Sequence, residues 1–255
     1  MNTPNTPILS IHGLAKRFGG VAAVSGIDLD VVAGETLAII GPNGAGKTTL
    51  YNMISGRMTP TEGELVFEGR SITGLAPHRI SRAGISRSFQ INNIFADMDV
   101  RENVEVVVSA RRGTSRRWWN IASRARGVQD EAAALVERLS IVHLAERRAA
   151  TISYGDKRLL ELAMVLATRP RLVLLDEPTA GMTPDETQRV TALIRRLADS
   201  GEFTFLITEH DMAVVFGLAD RILVMHRGER LVLGTPEEVR VHPEVRRAYL
   251  GDTDE

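Results

Sequence analysis

A glycine-rich loop directly follows a short apolar run near the start of the chain, and this arrangement restricts the possible folds more than any other feature. The apolar run covers residues 37–40, and apolar residues at helical spacing follow the loop within residues 50–54. The loop consists of Gly41, Pro42, Asn43, Gly44, Ala45, Gly46, Lys47, Thr48 and Thr49. This spacing between a buried strand and a helix is typical of a phosphate-binding loop. The sequence therefore predicts a nucleotide site, whereas the simpler interpretation is a glycine-rich turn that happens to precede a lysine.

Each residue type in the loop has a physical reason to be there. Gly41, Gly44 and Gly46 lack a Cβ atom, so the backbone can direct its N–H groups toward one anion. The helix that begins near Gly46 adds a partial positive charge of about half a unit at its N-terminus. Lys47 supplies a full charge for the β- and γ-phosphates, and the Thr48 hydroxyl is a candidate Mg²⁺ ligand.

A second apolar run, residues 172–175, ends in two carboxylates, Asp176 and Glu177. Mg²⁺ prefers one or two carboxylates together with water and phosphate oxygens, so Asp176 is predicted to bind it. Glu177 is predicted to orient or deprotonate the water that attacks the γ-phosphate. The alternative is an ordinary acidic turn that ends a strand.

Composition excludes several classes of protein. The 255 residues are 44% apolar, enough for a sizeable core, and a net charge of −1 gives no field that would recruit nucleic acid. The chain has no cysteine, which excludes disulfides and suits a reducing compartment. No signal peptide is visible, and no apolar stretch approaches the roughly 20 residues of a membrane-spanning helix. Any membrane role must therefore come through a partner chain.

The order of apolar runs predicts an α/β fold. Short runs recur at residues 8–11, 27–32, 37–40, 65–67, 172–175, 203–207 and 222–225. Several are continuous, as in strands covered on both faces, and helical patterns lie between the later ones, which predicts a mainly parallel sheet. Glycines separate the early runs, which predicts an N-terminal antiparallel β subdomain.

Residues 91–165 contain no convincing strand and are predicted to form an inserted α-helical subdomain. Helices are expected near residues 101–110, 128–139 and 156–167. The chain is thus predicted to be one domain, residues 1–255, with the nucleotide-binding core in 1–90 and 166–255.

Between the two nucleotide motifs lies a segment that makes a family resemblance specific. Residues Ser153, Tyr154, Gly155 and Asp156 are similar to the signature loop of the ATP-binding subunits of ATP-binding cassette (ABC) transporters, and the resemblance runs nearly end to end. The usual wording there is Ser-Gly-Gly-Gln, so Tyr154 and Asp156 depart from it. The resemblance implies that Ser153 and Gly155 bind the γ-phosphate of ATP held by an opposite subunit. A compatible interpretation makes Ser153 the N-cap of the following helix.

Three further positions receive roles from the same resemblance. Gln90 matches the glutamine that contacts Mg²⁺ and water, and His210 matches the switch histidine that contacts the γ-phosphate. Phe18 stands where the family commonly has a tyrosine that stacks on adenine, and its ring keeps a face for stacking. Alternatively, Phe18 is a plain core residue.

Several details are similar to one branch, the ATPases of branched-chain amino-acid importers and their relatives. They are Phe18-Gly19-Gly20, Ser153-Tyr154-Gly155-Asp156, the loop at residues 179–184, Glu209-His210-Asp211-Met212 and the ending at residues 247–251. Thr183 replaces the aspartate usual in the loop after the second motif, which puts the intersubunit role of that aspartate in doubt here. Residues 111–126 hold six arginines and Trp118-Trp119. Such residues can bind lipid headgroups or nucleic acid; the alternative is a solvated insertion within the helical subdomain.

The resemblance implies an ATPase, with ATP and Mg²⁺ as ligands, that drives import of a small solute from the cytoplasmic face of the inner membrane as a peripheral subunit. Expected partners are membrane-spanning permease subunits, a second ATPase subunit in a heterodimer rather than a homodimer, and an extracytoplasmic solute-binding protein, with no nucleic acid. Alternatives are an export-machine ATPase such as the one serving lipopolysaccharide transport, an ABC ATPase outside transport, and a kinase or small GTPase.

Overall fold

A computed structural model describes residues 7–88, 94–113 and 121–250. Its strands are β1 (Pro7–Phe18), β2 (Val21–Val32), β3 (Thr36–Ile40), β4 (Glu62–Phe67), β5 (Arg70–Ser71), β6 (Ile85–Arg87), β7 (Leu172–Asp176), β8 (Thr204–Thr208), β9 (Arg221–His226) and β10 (Glu229–Gly234). Its helices are α1 (Lys47–Ile54), α2 (Pro77–Ala83), α3 (Val100–Arg112), α4 (Ile121–Arg138), α5 (Tyr154–Ala167), α6 (Pro184–Asp199), α7 (Met212–Leu218), α8 (Pro236–Val241) and α9 (Pro243–Leu250).

The strands form two sheets, as the sequence predicts. The larger sheet has the order β10-β9-β3-β8-β7-β6, in which β10 alone pairs antiparallel with its neighbour. Its central strands β3 and β8 are buried at every position, which explains their uninterrupted apolar sequence. Because parallel strands end at the same edge, the loops after β3, β7 and β8 lie together. That edge is where the predicted motifs fall.

The smaller sheet, β2-β1-β4-β5, is antiparallel and packs over β3 and α1 through one core cluster. Strand β2 alternates between buried and exposed positions, as a strand covered on one face should. Gly13 lies inside β1. Strand β1 continues through it with an irregular register, and Gly13 adopts a φ of 54° inside the strand.

Helices α3 and α4 lie within the predicted helical region, and α5 extends two residues beyond the predicted end of that region at 165. All three share a core cluster with α6 and one face of the large sheet. Asp99 and Glu102 form a capping box at the start of α3, and Thr183 and Glu186 form another at the start of α6. Thr183 thus has a local structural reason to stand where the family commonly has aspartate. The assignment of residues 91–165 as one inserted unit stays a prediction. Among the described residues, no helix is both long and apolar enough to span a membrane.

Tyr51 of α1 is fully buried, and its hydroxyl is in hydrogen-bonding contact with the carbonyl oxygens of Leu175 on β7 and Leu206 on β8. Burial raises the pKa of Tyr51 well above its ordinary value, so the group stays a donor. Tyr51→Phe should lower the free energy of unfolding by about 1 kcal/mol, because one buried hydrogen bond is lost. Urea denaturation measures this loss, and Tyr154→Phe is the control because the Tyr154 ring is partly exposed. Equal stability of the two variants would contradict the prediction.

Candidate active site

The phosphate-binding loop connects β3 to α1, and two of its glycines are required by close backbone approaches. Gly46 has a φ of 100°, and a Cβ atom there would lie 2.4 Å from the carbonyl oxygen of Ala23. A Cβ atom at Gly41 would lie equally close, 2.4 Å, to the carbonyl oxygen of Met225. The loop is therefore fitted against β2 and β9, and its backbone cannot accept side chains at these two positions.

Lys47 begins α1 and is 8% exposed. Its Nζ donates to the carbonyl oxygens of Gly41 (2.5 Å) and Pro42 (3.2 Å), across the opening of the loop. Burial lowers the pKa of Lys47, an effect that the carboxylates of Glu177 and Asp176 partly oppose. The predicted loop lysine and the two predicted acids thus lie within one electrostatic site.

The other loop residues divide between packing and exposure. Ala45 is buried, and its N–H donates to the carbonyl oxygen of Pro42. Asn43 and Thr48 are exposed, and Thr49 is half-buried. The Thr48 hydroxyl therefore lies at the solvent-facing side of the first turn of α1.

Asp176 ends β7, and both of its oxygens have partners. Its Oδ2 forms an ion pair with Arg87 at the end of β6, and its Oδ1 accepts a hydrogen bond from the Thr208 hydroxyl (2.6 Å). Arg87 is buried and also donates to Asn52 Oδ1 on α1 (2.7 Å) and to Ser55 Oγ directly after that helix (3.2 Å). A single guanidinium therefore connects the helix of the phosphate-binding loop to the predicted Mg²⁺ carboxylate.

Glu177 and His210 follow β7 and β8 and meet at the edge of the sheet. His210 Nε2 and Glu177 Oε1 are 2.8 Å apart, and both side chains are about half exposed, 49% and 43%. Glu177 adopts a φ of 48°, which is strained for a residue with a Cβ atom, and its N–H donates to the carbonyl oxygen of Thr208 (2.9 Å). This backbone turn directs the carboxylate toward the imidazole, so an acceptor for a proton stands beside a group that can orient it.

The signature-like loop is built as a helix cap. Ser153 is the N-cap of α5, and its Oγ accepts from the N–H of Asp156 (3.1 Å), which confirms the local interpretation of this serine. The N–H of Gly155 donates to Glu186 Oε1 (3.1 Å), and Arg189 pairs with Asp156. Gly155 and Asp156 are thus bound to α6, whereas the Tyr154 hydroxyl accepts a hydrogen bond from Arg158 on α5 (3.1 Å).

Phe18 ends β1 with half of its surface exposed, and the ammonium group of Lys16 lies 5.5 Å from its ring centroid. The simple core interpretation of Phe18 is therefore wrong, since the ring remains accessible. Gln90 lies outside the described residues, as do Trp118 and Trp119.

Two residues important to this geometry, Arg87 and Glu209, were not predicted as site residues. Glu209 is 4% exposed and accepts hydrogen bonds from Thr179 and from the N–H of His210. Arg87 pairs with Asp176, 89 positions away along the chain, and Glu209 bonds to Thr179, 30 positions away. For Glu209 the sequence carried one signal, a charged residue shortly after the apolar run at residues 203–207, whereas Arg87 follows no such run.

Residues that could hold Mg²⁺ are few, and their type fits the ion. The described residues contain no cluster of three or more histidine, cysteine, aspartate or glutamate side chains arranged for a metal. One hydroxyl, Thr48, and one carboxylate, Asp176, are instead the donors that Mg²⁺ uses when phosphate oxygens and water complete its shell.

A phosphate-binding loop, a buried lysine at its helix and paired acid and imidazole groups on neighbouring strand ends together define a P-loop nucleotide hydrolase. Residues 24–180 match the ABC transporter family, and residues 230–255 match the family of branched-chain amino acid ATP-binding cassette transporters. The chain belongs to the ABC transporter family and is an ATPase subunit of a transport system.

Solved and curated relatives agree with this assignment. The chain is 40% identical over 251 residues to the high-affinity branched-chain amino acid transport ATP-binding protein LivG of Escherichia coli K12, covering 96% of this chain and 98% of LivG. It is equally 40% identical to BraF of Pseudomonas aeruginosa, which carries the same description, with the same coverage. A crystal structure of an ATP-binding cassette of an ABC transporter in its ADP conformation superposes with a TM-score of 0.82 at 28% identity, covering 97% of this chain and 100% of that one. The predicted family and fold class are confirmed, and the kinase and GTPase alternatives are excluded.

Proposed function

We propose that this chain hydrolyses ATP to drive the import of branched-chain amino acids, or of a related amino acid, organic acid or amide. The observation that carries the proposal is similarity to LivG and BraF along nearly the whole chain, which includes the branch-specific C-terminal match at residues 230–255. That match favours the importer branch over an export machine such as the lipopolysaccharide system. It also favours a transport role over other uses of an ABC ATPase.

The site geometry supports specific roles in hydrolysis. The loop of residues 41–49 binds the phosphates through its N–H groups, and Lys47 moves its ammonium from the loop carbonyls to the β- and γ-phosphates. Thr48, Asp176 and Gln90 would hold Mg²⁺, which supplies positive charge to the phosphate oxygens. Glu177 accepts the proton of the attacking water.

His210 supports Glu177 in this step. Its Nε2–H donates to Glu177 Oε1 at 2.8 Å, so the second carboxylate oxygen stays available for a water molecule. His210 lies at the same edge of the sheet as the phosphate-binding loop, and in this proposal its side chain contacts the γ-phosphate. Phe18, accessible at the end of β1, supplies an aromatic face for the adenine.

A second ATPase subunit completes each site in this proposal. Ser153, Tyr154, Gly155 and Asp156 form the loop that faces the γ-phosphate of ATP bound by the partner subunit. The N–H of Gly155 is the donor that an anion at the start of α5 needs, and it already binds one anionic group, the carboxylate of Glu186. Dimer closure therefore exchanges a carboxylate for a phosphate at this position. We infer a heterodimer, with the chain at the cytoplasmic face of the inner membrane.

A cavity of about 660 Å³ offers a place for the permease to act on this site. It lies between α2, β6, α3 and α5 and is mostly apolar; its lining includes Ile80, Phe95, Val107, Met164 and Val165. Arg87 also lines it and pairs with Asp176. A cytoplasmic segment of a permease seated here would contact the helical region and the nucleotide site at once.

Reconstitution of the complete transporter tests the proposal. The chain, its sister ATPase and the permease subunits in proteoliposomes should take up labelled leucine when ATP is inside and the cognate solute-binding protein is outside. Uptake should be several-fold higher than in vesicles prepared in the same way with the Lys47→Ala variant. Parallel assays with amides and aromatic acids define the substrate. ATP hydrolysis that no loaded binding protein stimulates would contradict an importer role.

A further inference from the structure

Glu209 is a buried acidic side chain at the edge of the site, and both of its carboxylate oxygens are bound. Its Oε1 accepts from the N–H of Thr179 (2.9 Å) and from the hydroxyl of Thr179 (2.5 Å). Its Oε2 accepts from the N–H of His210 (3.0 Å). The side chain is 4% exposed, so these protein donors, rather than bulk water, satisfy it.

These contacts connect the loop after β7 to the loop after β8, beyond the last paired residues of the two strands. Strands β7 and β8 remain paired up to Asp176 and Thr208, and the N–H of Glu177 still bonds to Thr208. Beyond that point the chain turns away on both sides. Glu209 then bonds to Thr179, two residues after Glu177, and to the backbone of His210.

The hydrogen bond between His210 and Glu177 lies directly beside this connection. Each of these two side chains is about half exposed and has solvent as an alternative partner. The positions of the two backbones therefore set their 2.8 Å contact. Small changes in those positions matter, because a shift of about 1 Å in a reacting group can cost about 100-fold in rate. A carboxylate held by two backbone N–H groups and a hydroxyl is a rigid spacer between those backbones.

We propose that Glu209 is a positioning residue for ATP hydrolysis: together with Thr179 it fixes the loops after β7 and β8 so that His210 and Glu177 meet. Glu209 acts through those residues and does not contact ATP. The inference rests on the proposed roles of Glu177 and His210 in hydrolysis.

Glu209→Gln is the direct test. Glutamine has one acceptor oxygen and one NH₂ group. If its oxygen accepts from Thr179, its NH₂ group faces the N–H of His210, and if its oxygen accepts from His210, its NH₂ group faces Thr179. In either orientation two donors face each other. We expect kcat for ATP hydrolysis by the full-length chain to fall about 10- to 100-fold, with ATP affinity changed less than about twofold. Glu35→Gln is the matched control. Glu35 is also a hydrogen-bonded carboxylate, with Val32 and Arg221 as partners, at the opposite end of β3.

Variants of Thr179, the residue that donates to Glu209, test the same contact and serve if Glu209→Gln folds poorly. Thr179→Val removes the hydroxyl donor at constant shape and should lower kcat, whereas Thr179→Ser keeps the donor and should restore it to within about twofold. Wild-type kcat in both Glu209→Gln and Thr179→Val would overturn the inference.

A double-mutant cycle separates positioning from general stability. If Glu209 acts through His210, the combined variant with His210→Ala should lose much less kcat than the product of the two single losses. Multiplicative losses would mean that Glu209 only stabilises the fold and would overturn the inference. An unchanged kcat in His210→Ala would instead remove the proposed role of His210, and the inference with it.

Discussion

Glu177→Gln is expected to lower the rate of ATP hydrolysis at least about 100-fold while ATP affinity stays near that of the wild type. The amide has nearly the shape of the carboxylate, and its oxygen can still accept from His210 Nε2 at the position where Glu177 Oε1 now lies, 2.8 Å away. It has, however, no useful basicity, and proton transfer by a positioned base contributes about 10²- to 10⁴-fold. The loss should therefore fall on kcat alone.

A second consequence concerns assembly. Because ATP stays bound and uncleaved, the proposed ATP-bound dimer with a second ATPase subunit should accumulate. Single-turnover phosphate release measures the chemical step, and light scattering with Mg²⁺-ATP measures dimer formation. Asp185→Asn, at an exposed acid in the first turn of α6, is the control. Hydrolysis at the wild-type rate by Glu177→Gln would show that another group accepts the proton.

Features that depend on short-range chemistry were predictable from the sequence. The loop of residues 41–49, the strand before it and α1 after it are specified by adjacent glycines, an apolar run and helical spacing. The N-cap of α5 at Ser153 depends on the same kind of local rule. Glu177 and His210 were each placed after a predicted strand, but only the structure shows that β7 and β8 are neighbours in the sheet, which brings the two side chains together.

Contacts between distant segments were not predictable in the same way. The pairing of Arg87 with Asp176 requires β6 to be the neighbour of β7, and nothing in the local sequence of either strand specifies that order. The hydrogen bonds of Glu209 require the loops after β7 and β8 to lie close together beyond the last paired residues of the two strands. Strand β10 has only three consecutive apolar residues, 231–233, and no fully buried position, and no strand was predicted there.

Lys47→Ala is expected to weaken ATP binding itself, by about 100-fold, in contrast to Glu177→Gln. Hydrogen bonds to a charged group contribute about 1.5–3 kcal/mol, and the phosphates would lose both such bonds and the full positive charge. Lys47 is 8% exposed, so its charge acts in a site where solvent screening is weak. Burial already lowers its pKa, which means that the ammonium is poorly solvated there and gains from an anionic partner.

Two further variants assign the effect to charge rather than to packing. Lys47→Met keeps most of the aliphatic stem and should bind ATP as weakly as Lys47→Ala, because the stem fills the same space without the ammonium. Arg196→Ala removes one positive charge from an exposed position on α6 and should leave the affinity unchanged. Titration with a fluorescent ATP analogue, at fixed ionic strength, compares the three. If Lys47→Met bound the nucleotide like the wild type, the buried stem and not the charge would hold the phosphates, and the proposed role of the loop lysine would be wrong.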